Sequence, residues 1–269
     1  MLTNRNTIAL TFCLLSSLTV GAQNQQPAKR AGTIVPLPRD LEIQLALSSL
    51  PAHLRDHATV YALNPAKGFE VARTGTNGFS ALVARTGDDA MRGPWPLTAY
   101  PGDVLYPISW DLAGAKALLP VFLDIAEMQA KGTPPQDLKR IIQQRYKTHV
   151  YKAPERAGVS YMLSPILRTY SNPEVDGTLA TSLNPHVMHY APNVSNEDVG
   201  GAFPAPEVMQ YYIQHGRWPT SPAPFVIMPG PHGYHIQMLG VTEAAAIAKE
   251  HEAMLSQLCK ITDVWCLPK

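Results

Sequence analysis

The chain has 269 residues, with 22 Lys and Arg against 21 Asp and Glu and a formal net charge of +1. That balance excludes a general electrostatic attraction to nucleic acid or to an acidic membrane surface. A hydrophobic share of 45% with 16% charged residues belongs to a globular protein, not a disordered one. The 25 prolines, nearly twice the usual share of about 5%, predict rigid connections and short elements rather than a helical bundle.

The first 22 residues have the three parts of a secretory signal peptide. Arg5 makes the n-region positive, and Thr7 to Val20 form an apolar run that is short for a membrane helix, which needs about 20 residues. Val20 and Ala22 are the small residues before a cleavage point at Gln23, and Cys13 lies too far inside the run to carry a lipid. The chain is therefore expected to be exported, to the periplasm or the medium, with no transmembrane segment in its mature part. Residues 23–38, polar and broken by Pro27, Pro36 and Pro38, read as a flexible leader, and residues 39–269 as a single domain.

Asp40 begins a first helix that turns Leu41 and Leu45, with Leu47 or Leu50, inward and ends at Pro51. Three strands follow at Thr59–Leu63, Phe69–Arg73 and Phe79–Arg85, separated by the turn-forming stretches NPAKG and GTNG; this predicts an antiparallel meander. Prolines and glycines from Met91 to Tyr106 indicate a loop. A helix from Asp111 or Leu112 to about Ala130 is bent or split by Pro120, and Thr133-Pro134 opens the next. Val159–Leu163 and Asn184–Asn193 read as strands, Pro206 to Gly216 as a helix, and Phe225–Met228 with Tyr234–Leu239 as a hairpin around PGPHG. A last helix, capped by Thr242, places Ile247, His251, Met254, Leu255 and Leu258 on one face. These elements predict an α+β domain with an antiparallel sheet of about six strands and helices packed on one side.

Cys259 and Cys266 are the two cysteines outside the signal segment, and in an exported chain an even pair predicts a disulfide that ties down the tail. Four of the nine histidines fall in two pairs of equal spacing, His186-x-x-His189 and His232-x-x-His235. On a strand, residues three apart point to opposite faces, so neither pair chelates as a local unit. His186, Met188 and Tyr190 share one face of their strand, and His235, Gln237 and Leu239 one face of theirs. A divalent metal would need one histidine from each strand, paired across the sheet, plus a carboxylate or a third histidine from elsewhere. The bland alternative is half-buried histidines satisfied by backbone or hydroxyl partners. No G-x-S-x-G elbow, HExxH or phosphate-cradling loop is present.

The stretches RTGTNGFSAL, YMLS, NPHVMHYAP and YHIQM resemble a family of uncharacterised exported bacterial proteins with no known activity. The resemblance implies Asn77, Tyr161, His186 and His235 as ligand-binding candidates and adds Gly78 and Asp111, leaving His189 and His232 outside its pattern. It also implies that Ala81 and Ser109 stand where the family has two cysteines, a paired loss of a disulfide, and that the first hairpin packs near Asp111. Asp111 alternatively caps a helix, Asn77 forms its turn, and Tyr161 is core. Two functions remain open: binding of a small molecule or an envelope component, or hydrolysis in which His186, His235 and Asp111 act with a metal or as a general acid/base set.

Overall fold

A computed structural model describes residues 34–171, 177–220, 223–227 and 230–268. The signal-peptide reading and most of the leader lie outside the described residues. Within them, residues 35–38 are tied down rather than flexible. The Val35 amide donates to the carbonyl of Gly102 at 2.7 Å, and Val35 and Leu37 pack on buried side chains.

The α+β class holds. An eight-stranded sheet has the order β2-β1-β3-β4-β5-β8-β10-β9, and β6 and β7 form a second, two-stranded sheet. The strands are β1 (Thr59–Asn64), β2 (Gly68–Arg73), β3 (Ser80–Ala84), β4 (Tyr106–Trp110), β5 (Val159–Met162), β6 (Leu167–Tyr170), β7 (Leu179–Ser182), β8 (His186–Tyr190), β9 (Phe225–Ile227) and β10 (Tyr234–Met238). The expected count of about six missed β4, β6 and β7. Pro107 disguised β4, because a proline lacks the N–H that a central ladder uses. It is tolerated because β5 pairs with β4 only at Ser109 and Trp110, beyond the proline.

The expected meander is replaced by a crossing. β1 and β2 form the antiparallel hairpin, but β3 returns on the other side of β1 and pairs with it in parallel, Thr59 with Ser80 and Val60 with Ala81. The cause lies in residues 74–79. The amides of Thr76 and Asn77 both donate to the carbonyl of His57, carrying the chain across the start of β1. The crossing is so close that a Cβ on Gly75 would lie 2.2 Å from the backbone of Ala58. Only glycine fits there. Ala81 then faces Ser109 directly across β3 and β4, and both are wholly buried.

Helices cover both faces of the sheet, not one. β3 is buried along its whole length, and its side chains alternate between two cores. Leu82 and Ala84 join Phe122 and Ile125 of α5 (Leu119–Ala130) and Leu138 and Ile142 of α6 (Pro135–Lys147). Ala81 and Val83 join Leu41 and Leu45 of α1 (Arg39–Ser48) and Met254 and Leu258 of α9 (Glu252–Ile261). Pro120 does split the central helix: α4 (Leu112–Ala117) ends just before α5 begins. The last helix also divides, at His251, into Val241–Glu250 and α9. Among the described residues no helix is long and apolar enough to cross a membrane.

Cys259 and Cys266 are bonded, with Cα atoms 4.6 Å apart. Their link bends the chain from α9 into a short turn that inserts Trp265 into the second core. Removing a cross-link over a loop this short is expected to cost about 2 kcal/mol of stability by loop-closure entropy. Urea unfolding of Cys259→Ser/Cys266→Ser measures it; an unchanged midpoint would show that the tail is held by packing alone.

Candidate functional site

The first core is not completely filled. A small cavity of about 20 Å³, partly open to solvent, lies between the sheet and α5 and α6. Alternation along the strands supplies its floor: Ile108 and Trp110 from β4, Ser160 from β5, Met188 and Tyr190 from β8 and Tyr234 from β10. Leu118 and Phe122 form one wall. Tyr146, on α6, sits at another beside His232, their rings edge to face with centroids 5.0 Å apart. Asp88, just before the short helix α3 (Asp89–Arg92), is the acidic member of the lining.

A buried charge network is built on Asp88. Its Oδ1 accepts from the hydroxyl of Tyr106 at 2.9 Å and its Oδ2 from that of Tyr234 at 3.1 Å. Arg92 Nε lies 3.3 Å from Oδ2, and the same guanidinium also reaches Asp89, whose other oxygen accepts from Thr169. Burial lowers the affinity of the Arg92 guanidinium for its proton, but Asp88 and its neighbours outweigh this and hold its pKa above the ordinary value. Burial, and then Asp88, push Tyr106 and Tyr234 well up, so both stay protonated and donate. Tyr190 and Tyr146 are raised mainly by burial. Trp110 Nε1 and His232 Nδ1 are buried and have no hydrogen-bond partner among the described residues.

Tyr190 is held at the other end of the cavity. Its hydroxyl donates to the carbonyl of Val159 at 2.9 Å, and its ring leaves no room for side chains at Gly114 and Gly158. A Cβ on Gly114 would lie 1.7 Å from that hydroxyl oxygen. Asp111 completes the arrangement as the N-cap of α4: Oδ1 accepts from the Gly114 amide at 2.8 Å and Oδ2 from the Val159 amide at 3.3 Å. Its capping role is the one realised.

The structure does not bring His186, His235 and Asp111 together. His186 is on the cavity face with Met188 and Tyr190, as alternation predicts, but it lies at the Met162 end of β5. Asp111 lies at the Val159 end. His186 is buried, with Nδ1 hydrogen-bonded to the carbonyl of Asn184 at 2.8 Å. His235 faces the other side of the sheet, because Tyr234, Ile236 and Met238 take the cavity side. Its cross-strand partner there is His189, with ring centroids 6.3 Å apart. No group of three or more His, Cys, Asp or Glu among the described residues is placed to hold a metal ion.

Asn77 and Tyr161 are also away from the cavity. Asn77 donates to the carbonyl of Leu54 and accepts from the Phe79 amide, fixing the crossing loop. Tyr161 packs against Phe79 on the opposite face of the sheet. Sequence reading missed Asp88, Trp110, Tyr146 and Tyr234 and set His232 aside. The one signal that stood in the sequence was the acidic pair of RTGDDAMR, two adjacent carboxylates flanked by Arg85 and Arg92.

Burial pushes His186 below the ordinary histidine value, and His232, His235 and His251 move the same way. A histidine held neutral in the fold contributes stability above its unfolded pKa of about 6.5, and that contribution is lost as pH falls towards the folded value. Unfolding free energy from urea titration is therefore expected to be lower at about pH 5.5 than at about pH 7.5. Glu42, raised by burial, acts in the opposite sense. His186→Gln isolates the histidine contribution and should narrow the difference; an unaltered pH dependence in that variant would remove His186 as a source.

Comparison of the chain with family models, curated proteins and solved structures finds no match. The cavity is thus interpreted from its own chemistry.

Proposed function

We propose that this is an exported protein that binds a small ligand in the cavity between the sheet and α5 and α6. The observation that carries this reading is the composition of the cavity wall, mostly aromatic with a few convergent polar groups as in small-molecule sites, around a space of about 20 Å³ that a ligand would widen at the half-buried wall. Trp110 and His232 support it, since a buried polar atom without a partner calls for an explanation that a bound molecule supplies. Export is supported by the signal-like first 22 residues and by the Cys259–Cys266 bond, which belongs to an oxidising compartment. The resemblance to exported bacterial proteins is part of the same proposal. It is supported by the direct pairing of Ala81 with Ser109, the two positions where the cysteines would stand.

The hydrolytic alternative needed His186, His235 and Asp111 in one cleft, and their separation across and along the sheet gives it no such cleft. The test of the binding reading is a thermal-shift screen of the purified protein against a library of small cationic, neutral and anionic compounds. Hits should quench the fluorescence of Trp110, a signal absent in Trp110→Phe. Their stabilisation should disappear in Leu118→Trp, which adds bulk at the half-buried wall. A screen without hits, or hits indifferent to Leu118→Trp, would overturn the proposal.

A further inference from the structure

The second core does not extend under the whole sheet. Its members reach Tyr161 of β5, and among the described residues none of them comes from β8, β9 or β10. Past Tyr161 the face opposite the cavity presents His189, which is exposed, and His235, which is half-buried. The two are direct partners across β8 and β10, with ring centroids 6.3 Å apart and planes inclined at 36°. They share that face because Met188 and Tyr190 on one strand, and Tyr234 and Ile236 on the other, take the cavity side.

The ordinary ways of settling a histidine are missing here. β5, β8, β9 and β10 carry no Asp, Glu, Lys or Arg, so the strands offer neither ring a counter-charge. Val159 of β5 lies opposite His189 and Val226 of β9 opposite His235, which gives the pair apolar neighbours on both sides. Nε2 of His235 is buried and has no hydrogen-bond partner among the described residues. A buried nitrogen left unpaired is costly and calls for an occupant. An imidazole nitrogen binds zinc or a similar ion at about 2.0–2.1 Å, which puts the metal about 3.2 Å from the ring centroid. Two such rings have centroids about 5.3 Å apart at the tetrahedral angle and about 6.4 Å apart in opposition. The observed 6.3 Å lies within that span, and the ring of the exposed His189 turns about a soft torsion.

We propose that His189 and His235 form an open two-histidine site for a divalent transition-metal ion, with water in the remaining coordination positions. Each of the two H-x-x-H stretches contributes its second histidine. Imidazole nitrogens suit Cu²⁺, Ni²⁺ and Zn²⁺, of which Cu²⁺ is held most tightly, and they do not suit Mg²⁺ or Ca²⁺, which take oxygen ligands. The site lies on the other side of the sheet from the cavity and does not depend on the ligand-binding reading above.

Isothermal titration of the purified, metal-free protein with Cu²⁺, Ni²⁺, Zn²⁺ and Mg²⁺ tests this. Cu²⁺ is expected to bind about tenfold more tightly than Ni²⁺ or Zn²⁺, and Mg²⁺ not at all. His189→Gln and His235→Gln should each weaken Cu²⁺ binding about tenfold, whereas His53→Gln, a change at another exposed histidine, should leave it unaltered. Cu²⁺ is paramagnetic, so in the unsubstituted chain sub-stoichiometric amounts should broaden the imidazole resonances of His189 and His235 before those of the other histidines. This second measurement does not depend on how the variants fold. Absence of Cu²⁺ binding would overturn the proposal, as would binding that survives either substitution. Broadening that begins at His53 and His57, exposed histidines four residues apart, would overturn it equally by placing the metal there.

Discussion

Asp88→Asn is expected to lower the unfolding free energy by about 3–5 kcal/mol, the cost of removing one partner from a buried ion pair. The carboxylate of Asp88 accepts from the hydroxyls of Tyr106 and Tyr234 and forms an ion pair with Arg92, and the Asp88 and Arg92 side chains are only 12% and 16% exposed. Water is therefore not free to take over when the charge is lost. Asparagine keeps one acceptor oxygen but turns an NH₂ group towards groups that are themselves donors, and it leaves Arg92 with Asp89 as its remaining carboxylate partner. In a domain of this size the melting temperature should fall by about 10 °C, from about 2–4 °C per kcal/mol. Urea unfolding and calorimetry measure both quantities. A second substitution, Arg92→Met, should recover part of the loss, because an apolar side chain carries no unpaired charge. A loss under about 1 kcal/mol in the single variant would show that the network is more hydrated than its geometry implies.

Trp265→Ala should cost a similar amount, about 3–5 kcal/mol, through the cavity left behind. Trp265 is wholly buried and is the largest side chain at the centre of the second core. Its indole N–H donates to the carbonyl of Asp103 at 2.7 Å, and the Arg85 guanidinium lies 5.6 Å from its ring centroid. Arg85 is itself buried, which pushes it down to about 10, and it donates to the carbonyls of Val104 and Val35. Loss of the indole would thus loosen the chain before α1 as well as the tail. Trp265→Phe keeps most of the volume and drops the hydrogen bond, so it should cost less than half as much. Equal losses in the two variants would assign the effect to the hydrogen bond instead of to packing.

Much of the local structure was legible in the residues. The period-2 patterns of β5, β8 and β10 correctly put His186, Met188 and Tyr190 on one face, and His235 with Gln237 on one face of their own strand. Pro120 announced the break between α4 and α5, and the even pair of Cys259 and Cys266 announced their bond. What failed was of another kind. The turn chemistry of GTNG is genuine, and Gly78 does adopt a positive φ of 79°. A turn sequence does not state on which side of the hairpin the next strand will pair. Here two amides reaching for His57 sent β3 to the far side of β1. β4 was hidden because Pro107 forbids a central strand unless the neighbouring strand stops short, and that is a property of β5, a distant segment of the chain.

The candidate site shows the same division. Alternation grouped the histidines by face within each strand, but whether the two faces coincide depends on the register between β8 and β10. That register placed His189, not His186, opposite His235. Asp88, Trp110, Tyr146 and Tyr234 carry no shared motif because they come from separate parts of the chain, and only the packing of α6 over the sheet gathers them. By itself, then, the sequence determined the class of fold, the periods of the strands, the helix break and the covalent link of the tail, since each depends on neighbours within a few residues. The tertiary structure decided the strand order, the covering of both faces and the cavity. These depend on which distant segments bury one another's apolar sides, a choice made by the packing of the whole chain.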